Sequence, residues 1–174
     1  MKSGLAKVLH PILGRPILGH VLAAVLETDP QNVVVVVGHQ REQVTAYLAS
    51  HFPGVHTAVQ DEQNGTGHAV RCALAGLAED GIELPSEPIV VLAGDTPLLT
   101  GQTLADLVVT HESAHAAVTV LSADLENPFG YGRIVRDGDG NVMAPVEQKD
   151  ATADQALVHE INPGLFAFDP TTRV

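Results

Sequence analysis

The run Asn32-Val-Val-Val-Val-Val-Gly38, NVVVVVG, decides the fold of this chain. Its valines are β-branched and do not alternate with polar residues, which is typical of a strand covered on both faces. Strands of this kind are found in parallel sheets that carry helices on either side. We therefore predict that this run is an interior strand of an open α/β sheet.

Apolar residues at helical spacing precede and follow this strand. The spacing predicts helices over residues 16–29, 41–51, 66–80 and 102–115, with further strands over residues 55–60 and 88–94. From residue 116 onward, strand-like segments at 116–121, 132–136, 142–146 and 165–168 follow one another, separated by turn sequences such as DGDGN at 137–141. We predict a single α/β domain with a Rossmann-like, doubly wound, mostly parallel sheet and a β-richer C-terminal half.

Composition excludes several classes of function. The formal net charge is −12 and there is no basic run, so a nucleic acid partner is not expected. No apolar run approaches the roughly 20 residues that span a bilayer, and no signal-peptide pattern follows Met1, so we expect no membrane partner. The single cysteine, Cys72, fits a small buried hydrophobe in a reducing compartment, and we predict a cytoplasmic protein.

The stretch VLAGDTPLL, residues 91–99, is a strand that ends at the carboxylate of Asp95. Open α/β folds bind ligands beyond the carboxyl ends of their strands, and Mg²⁺ is often held by one or two carboxylates together with substrate phosphates. Gly94 would let a ligand approach the backbone. Asp95 is therefore either a Mg²⁺ ligand or the residue that closes an Asx turn before Thr96-Pro97.

The stretch QDEQNGTGHAV, residues 60–70, leads from a strand through a glycine-rich loop into a helix that starts near Thr66. A helix start presents unpaired N–H groups, and Gly65 and Gly67 leave room beside them. The loop lacks the Gly-Lys-Ser/Thr ending of a P-loop and departs from the G-x-G-x-x-G pattern of dinucleotide-binding loops. A simple capped turn is therefore the alternative. Gln60 has a donor and an acceptor with which it could bind a nucleobase edge.

Two further motifs need weighing. Lys7 carries a compact charge suited to phosphates, although a solitary lysine is usually solvated surface. The sequence HESAH, with His111 and His115, matches the H-E-x-x-H pattern of zinc metalloproteases. A third ligand is not evident, and a strand follows at once, so a histidine pair at a helix end is the competing interpretation.

A family resemblance is carried by eight stretches, which occur in this order: KVLHPILGRPIL, GHVL, VVVVVGHQ, VQDEQNGTGHAV, VLAGDTPLL, NPFGYGRIVRD, VEQKDAT and EINPGLFAFD. They resemble the uridylyltransferase domain of bifunctional N-acetylglucosamine-1-phosphate uridylyltransferase/glucosamine-1-phosphate acetyltransferase. The resemblance spans nearly the whole chain and implies a fold of the nucleotide-diphospho-sugar transferase type. It also implies synthesis of UDP-N-acetylglucosamine and pyrophosphate from UTP and N-acetylglucosamine 1-phosphate, which supplies peptidoglycan and lipopolysaccharide precursors.

The resemblance also implies roles for individual residues. Gln60, Gly65 and Thr66 would hold the uracil, and Gly94 would lie beside the nucleotide. Asp95 would bind Mg²⁺, and Lys7 would neutralise phosphate charge, so these two residues are the expected catalytic pair. The remaining predicted contacts, all to the N-acetylglucosamine moiety, are Gly132, Glu147 and Asn162.

The sequence departs from the family pattern at both ends. Family members begin with a strand and a loop of the form L-A-A-G-x-G-T-R-M, whereas this sequence begins at Met1-Lys2-Ser3, which corresponds to the end of that loop. A second metal ligand, an asparagine, and the β-helix acetyltransferase domain that makes full-length members homotrimeric would lie beyond Val174. We therefore expect residues 1–174 to be a partial nucleotidyltransferase domain with weak or no activity.

Three alternatives remain open from the sequence. Another sugar-phosphate nucleotidyltransferase would use the same scaffold with a different sugar or base. A non-catalytic module could bind a nucleotide sugar without turning it over. A zinc hydrolase built on His111 and His115 is the third.

Overall fold

The computed structural model of the protein describes residues 4–62, 64–83 and 86–171. The expectation that the chain opens at the end of a phosphate-binding loop concerns residues 1–3, which lie outside the described residues.

Helices occur wherever helical spacing predicts them. They are a 3-10 helix, Lys7–Leu9, and the α-helices α1 (Ile17–Leu26), α2 (Arg41–His51), α3 (Thr66–Glu79), α4 (Gly101–Ala114) and α5 (Ala153–Ala156). The prediction missed the 3-10 helix and α5, which are too short to show a period. α5 instead starts with a capping box between Thr152 and Gln155.

The strands follow the predicted segments closely. They are β1 (Pro11–Ile12), β2 (Arg15–Pro16), β3 (Val34–Val37), β4 (His56–Val59), β5 (Ile89–Val91), β6 (Val118–Asp124), β7 (Gly132–Arg136), β8 (Val142–Val146) and β9 (Glu160–Phe168). Strands β7 and β8 have the predicted bounds, and β9 starts earlier than predicted. The pair β1–β2 was not predicted, because strands of two residues carry no alternation.

Strand pairing differs from the mostly parallel sheet expected from the sequence. β3 and β4 form a parallel pair, whereas β5, β9, β7, β8 and β6 form a second sheet whose pairs are all antiparallel. The short turn at Asp137–Asn141 is one reason, because strands joined by so few residues can pair only in an antiparallel sense. The α/β class is confirmed, and the parallel part is smaller than predicted.

The valine strand β3 is not an interior strand in the described part of the chain. It pairs on one side only, with β4, and Val34, Val35 and Val36 are each partly exposed. Val37 is buried. The β-branched run correctly predicted a strand, but composition alone could not determine how many neighbours the strand has.

Two groups of buried side chains support the two sheets. One group joins the 3-10 helix, α1, α2 and β3, and consists of Ala6, Leu9, Leu18, Leu22, Val37, Val44 and Leu48. The antiparallel sheet contributes buried Ile134, Ile161, Leu165 and Ala167. Helix α4 packs against β6 and β9 on one side and against α1 on the other, and so joins the two parts.

Gly101, the first residue of α4, allows this contact between α1 and α4. A Cβ atom at this position would lie 2.7 Å from the Cβ of Glu27 and 3.1 Å from the carbonyl oxygen of Ala24. Such distances are far below ordinary van der Waals contact, so any larger residue would push the two helices apart.

Candidate active site

Lys7 and Asp95 meet although they lie far apart in the sequence. Lys7 Nζ lies 2.5 Å from Asp95 Oδ2, and their side chains are 67% and 36% exposed. The 3-10 helix holds Lys7, while Asp95 follows the carboxyl end of β5. The two residues predicted as the catalytic pair are thus brought together at the end of a strand.

The turn after β5 is not closed by Asp95. The hydroxyl of Thr96 donates to the carbonyl oxygen of Ala93, and the N–H of Leu99 donates to the carbonyl oxygen of Thr96. In the described part of the chain, the carboxylate of Asp95 forms its hydrogen bond with Lys7 alone. The Asx-turn interpretation of Asp95 is therefore wrong, and its carboxylate is paired with Lys7 instead.

Gly94 lies against helix α1. A Cβ at this position would be 3.5 Å from Leu18 Cδ1 and 3.9 Å from Val8 Cγ1, which are ordinary contact distances. A side chain would therefore fit here in the protein alone, and the predicted role of Gly94 beside a nucleotide stays a prediction.

Gln60, Gly65 and Thr66 form a second group at the start of α3. Gln60 Nε2 donates to the Gly65 carbonyl oxygen over 3.2 Å and lies 3.1 Å from His68 Nδ1. Gly65 has φ +85° at the N-cap position, and no side chain of the described residues caps the helix there. The first N–H groups of α3 therefore lie beside Gln60, which is the arrangement expected of a site for polar ligand atoms.

The residues predicted to contact the sugar line one cavity of about 390 Å³. Its lining residues are Thr66, Gly130, Tyr131, Gly132, Pro145, Glu147, Asn162, Pro163, Gly164 and Phe166. Gly132 and Asn162 are direct cross-strand partners on β7 and β9. A Cβ on Gly132 would lie 3.8 Å from Glu147 Oε1 and 3.7 Å from Asn162 Cβ.

The polar groups in this cavity suit hydroxyl and amide ligands. The N–H of Gly164 donates to Asn162 Oδ1 over 3.0 Å, so the Asn162 side chain offers its N–H₂ group to a ligand. Glu147 offers carboxylate oxygens, each able to accept hydrogen bonds. Thr66 lines this cavity and also begins α3, so it lies between the residues predicted to contact the sugar and the group formed by Gln60 and Gly65.

The ion pair of Lys7 and Asp95 is not connected to Gln60 or to the cavity residues among the described residues. In the described part of the molecule, no hydrogen bond or ion pair joins Lys7 or Asp95 to the other predicted site residues. The sequence prediction also missed Tyr131 in the cavity wall and the bond between Gln60 and His68. The position of His68 in the first turn of α3 was the available signal.

The zinc-hydrolase alternative is wrong. His111 is 3% exposed, and its Nδ1 shares a hydrogen bond of 2.8 Å with the hydroxyl of Thr119. His115 ends α4 in the left-handed region at φ +46°. Over residues 4–62, 64–83 and 86–171, no three His, Cys, Asp or Glu side chains gather to hold a metal ion. The H-E-x-x-H sequence is therefore the end of a helix.

None of the helices in the described ranges is both long enough and apolar enough to cross a membrane.

An α/β fold with polar groups at a strand end, a helix start and a cross-strand cavity defines a domain of the nucleotidyltransferase type. The chain belongs to the MobA-like NTP transferase domain family, whose model matches residues 1–148. It is 57% identical over 169 residues to the bifunctional protein GlmU of Thermobifida fusca (strain YX), a match that covers 97% of this chain and 35% of that protein. The GlmU of Streptomyces coelicolor is 56% identical over 172 residues, with 97% and 34% covered.

The chain is much shorter than these relatives. It is homologous to the N-terminal part of the GlmU proteins and spans about a third of the length of the curated relatives it matches. Among solved structures, HddC from Yersinia pseudotuberculosis superposes with a TM-score of 0.70 at 20% identity, covering 98% of this chain and 70% of that one. An apo UDP-glucose pyrophosphorylase gives 0.65 at 16%, with 95% and 69% covered. The structural likeness confirms the nucleotidyltransferase-type fold.

Proposed function

We propose that this domain forms UDP-N-acetylglucosamine and pyrophosphate from UTP and N-acetylglucosamine 1-phosphate. The observation that carries the proposal is the cavity in which Gly132, Glu147 and Asn162 meet Thr66. Four segments supply these residues: the start of α3, β7, the residue after β8, and β9. The similarity to relatives named GlmU supports a sugar-phosphate nucleotidyltransferase, while this sugar nucleotide and the role in supplying cell-wall precursors come from the family resemblance.

The cavity has the groups that an N-acetylated sugar requires. A carboxylate such as Glu147 accepts hydrogen bonds from sugar hydroxyls, and the N–H₂ of Asn162 donates to a carbonyl or hydroxyl oxygen. Gly132 leaves the space between them open, because a Cβ there would lie within 3.8 Å of both side chains. A sugar ring could therefore lie directly against the backbone of β7.

The nucleotide would bind at the start of α3. Gln60 can exchange its internal bond to Gly65 for hydrogen bonds to a uracil edge, since its amide both donates and accepts. Gly65 and Thr66 would offer backbone N–H groups to the base or ribose. This assignment makes Thr66 the junction between the base and the sugar.

A divalent metal fits the residues at the end of β5. The carboxylate of Asp95 is a hard oxygen donor, is exposed, and among the described residues forms a hydrogen bond with Lys7 alone. Mg²⁺ needs no cluster of three protein ligands, because substrate phosphates and water complete its coordination. A bound Mg²⁺ would withdraw charge from the reacting phosphates.

The chain's own residues would then position the reaction. An oxygen of the sugar phosphate attacks the α-phosphorus of UTP, the new oxygen–phosphorus bond forms, and the bond to the β-phosphate breaks to release pyrophosphate. Lys7 would balance negative charge as it develops on the phosphates. The cavity residues would hold the sugar phosphate in line with the bond that breaks. No covalent intermediate on the protein is needed.

Pyrophosphate release by the 174-residue chain tests the proposal, with Mg²⁺, UTP and N-acetylglucosamine 1-phosphate. Glucose 1-phosphate and galactose 1-phosphate replace the sugar, and GTP and dTTP replace UTP. Calorimetric binding of UDP and of UDP-N-acetylglucosamine accompanies the assay. Preference for uridine and for the N-acetylated sugar, in turnover or in binding, is the expected result.

Other outcomes select an alternative. Preference for another sugar or base would reassign the substrate within the same class of enzyme. Tight binding of UDP-N-acetylglucosamine without turnover, even in a chain extended at both ends to the length of its relatives, would indicate a binding module. Absence of both binding and turnover in the extended chain would contradict the proposal. The cytoplasmic setting stays a prediction from composition, and the homotrimeric assembly of full-length members stays a prediction from the resemblance.

A further inference from the structure

Arg133 is a buried cation that has no carboxylate partner among the described residues. Its relative exposure is 2%, and in the described part of the chain no ion pair involves it. Burying a charge is costly unless hydrogen bonds replace its hydration. A side chain with this cost at the second residue of β7 needs an explanation, and an apolar residue would fill the space more cheaply.

The acceptors of Arg133 are neutral and belong to three different segments. Its Nη1 donates to the carbonyl oxygen of Tyr131, while Nη2 donates to Gln148 Oε1 over 3.4 Å and to the carbonyl oxygen of Ala156 over 3.5 Å. Its Nε has no partner among the described residues. The planar guanidinium thus spans the loop before β7, the segment after β8, and helix α5.

Gln148 completes the network. Its Oε1 accepts from the N–H of Gly130 over 2.6 Å as well as from Arg133. Gln148 follows Glu147 directly, while Gly130 directly precedes Tyr131. Arg133 and Gln148 therefore connect the cavity residues Gly130 and Tyr131 to the segment that carries Glu147, another residue of the cavity lined by Gly132, Glu147 and Asn162.

We propose that Arg133, together with Gln148, is a positioning residue that sets the distance between Gly132 and Glu147 and thereby the fit of the sugar ring. The effect on sugar binding rests on the proposed function, whereas the hydrogen bonds of Arg133 and Gln148 do not depend on it. Lysine cannot replace arginine here, because a single ammonium group cannot reach acceptors on three separate segments.

The test compares four variants with the wild-type chain. Arg133→Met fills the space without donors, and Arg133→Lys keeps the charge alone. Gln148→Ala removes the acceptor, whereas Gln148→Glu is the conservative rescue, because a carboxylate still accepts from Gly130 and from Arg133. Gln148 is only partly buried, so its variants keep the test decisive if either Arg133 variant fails to fold.

Two measurements separate positioning from general stability. Amide exchange of Gly130, measured without ligand, should accelerate about tenfold in Arg133→Met, Arg133→Lys and Gln148→Ala, and should not accelerate in Gln148→Glu. Calorimetry should show unchanged affinity for UDP in all four variants. The gain in affinity from UDP to UDP-N-acetylglucosamine should fall about tenfold in the three loosened variants only.

Each outcome decides the proposal. Unchanged exchange at Gly130 in the variants would overturn the positioning network. Faster exchange with an undiminished sugar gain would overturn its role in binding the sugar. If the wild-type chain binds UDP-N-acetylglucosamine no more tightly than UDP, the proposed sugar substrate is wrong. Amide exchange at Gly130 alone then decides whether Arg133 holds the loop before β7.

Discussion

Two regions of this molecule carry candidate residues in settings of different construction. In the first region, beyond the ends of β4 and β5, the candidate residues stand in loops and helix starts, and Lys7 and Asp95 hold each other by charge. In the antiparallel sheet, Gly132 and Asn162 face each other as cross-strand partners. The proposed charge chemistry would therefore act where side chains can rearrange, and the proposed selection of the sugar by shape would act where strand register fixes the spacing.

The largest expected effect tests whether the two regions fold as one unit. Leu48→Ala in α2 and Ile134→Ala in β7 each remove a side chain that is 1% exposed, and each should lower the free energy of unfolding by about 2–5 kcal/mol. Because α4 joins both regions, urea unfolding should show one transition that both substitutions shift. Two transitions, each moved by one substitution alone, would show that the regions unfold independently.

Asp95→Asn should remove the metal-dependent chemistry and leave the fold intact. The loss of one charged ligand at the reacting phosphates should lower Mg²⁺-dependent turnover by about 10²–10³-fold. If turnover is too weak to compare, Mn²⁺ affinity in the presence of UTP, followed by electron paramagnetic resonance, gives the same information. Asp139→Asn, in the exposed turn after β7, is the matched control. Equal effects of the two substitutions would contradict the role of Asp95.

Glu147→Gln should affect the sugar and spare the nucleotide. Hydrogen bonds to a carboxylate are stronger than those to a neutral amide, so affinity for UDP-N-acetylglucosamine should fall about 10–100-fold while affinity for UDP stays constant. Isothermal titration calorimetry measures both, with the exposed Glu126→Gln as control. A parallel loss of UDP affinity would mean that the two regions do not divide the ligand between them.

The smallest effect concerns the pH dependence of stability in the antiparallel sheet. Arg136 donates twice to Glu160, at 2.7 Å each, and Ser122 donates to the same carboxylate, which lowers the pKa of Glu160 to about 2. The resulting stabilisation is complete above the ordinary pKa of 4.5 and is lost as pH falls toward 2.

Glu160→Gln should therefore cost about 1 kcal/mol at pH 7, since the pair is partly screened by solvent. The difference from the wild-type chain should shrink between pH 4.5 and 2, as measured by urea unfolding at a series of pH values. The exposed Glu87→Gln should show no such trend. A difference that stays constant across this range would mean that the charge of Glu160 does not stabilise the sheet.

The sequence predicts the helices and strands of this molecule better than the pairing of its strands. Helical spacing located α1 to α4, and β-branched or alternating runs located β3, β4 and β6 to β9, because those patterns express which side chains are buried. Pairing depends on contacts between segments far apart in the chain, which periodicity does not record. For that reason, the antiparallel arrangement of β5, β6 and β9 was not predicted.

The site shows the same division. Residues that the family motifs mark individually, such as Asp95, Glu147 and Asn162, could be proposed from the sequence, and the structure brings the last two together. The ion pair between Lys7 and Asp95 and the network of Arg133 could not, because each depends on groups far apart along the chain. An arginine directly before the apolar residues Ile134 and Val135 of a predicted strand was the available signal for Arg133.

The free edge of β3 has a consequence for how this chain behaves at high concentration. In the described part of the molecule, only β4 pairs with β3, so its other edge presents N–H and C=O groups beside four valines. No charge or proline within Val34–Val37 would oppose pairing with a strand of another copy. Although a net charge of −12 keeps copies apart at low ionic strength, salt screens that repulsion. The colloidal stability of this chain should therefore decrease as salt is added.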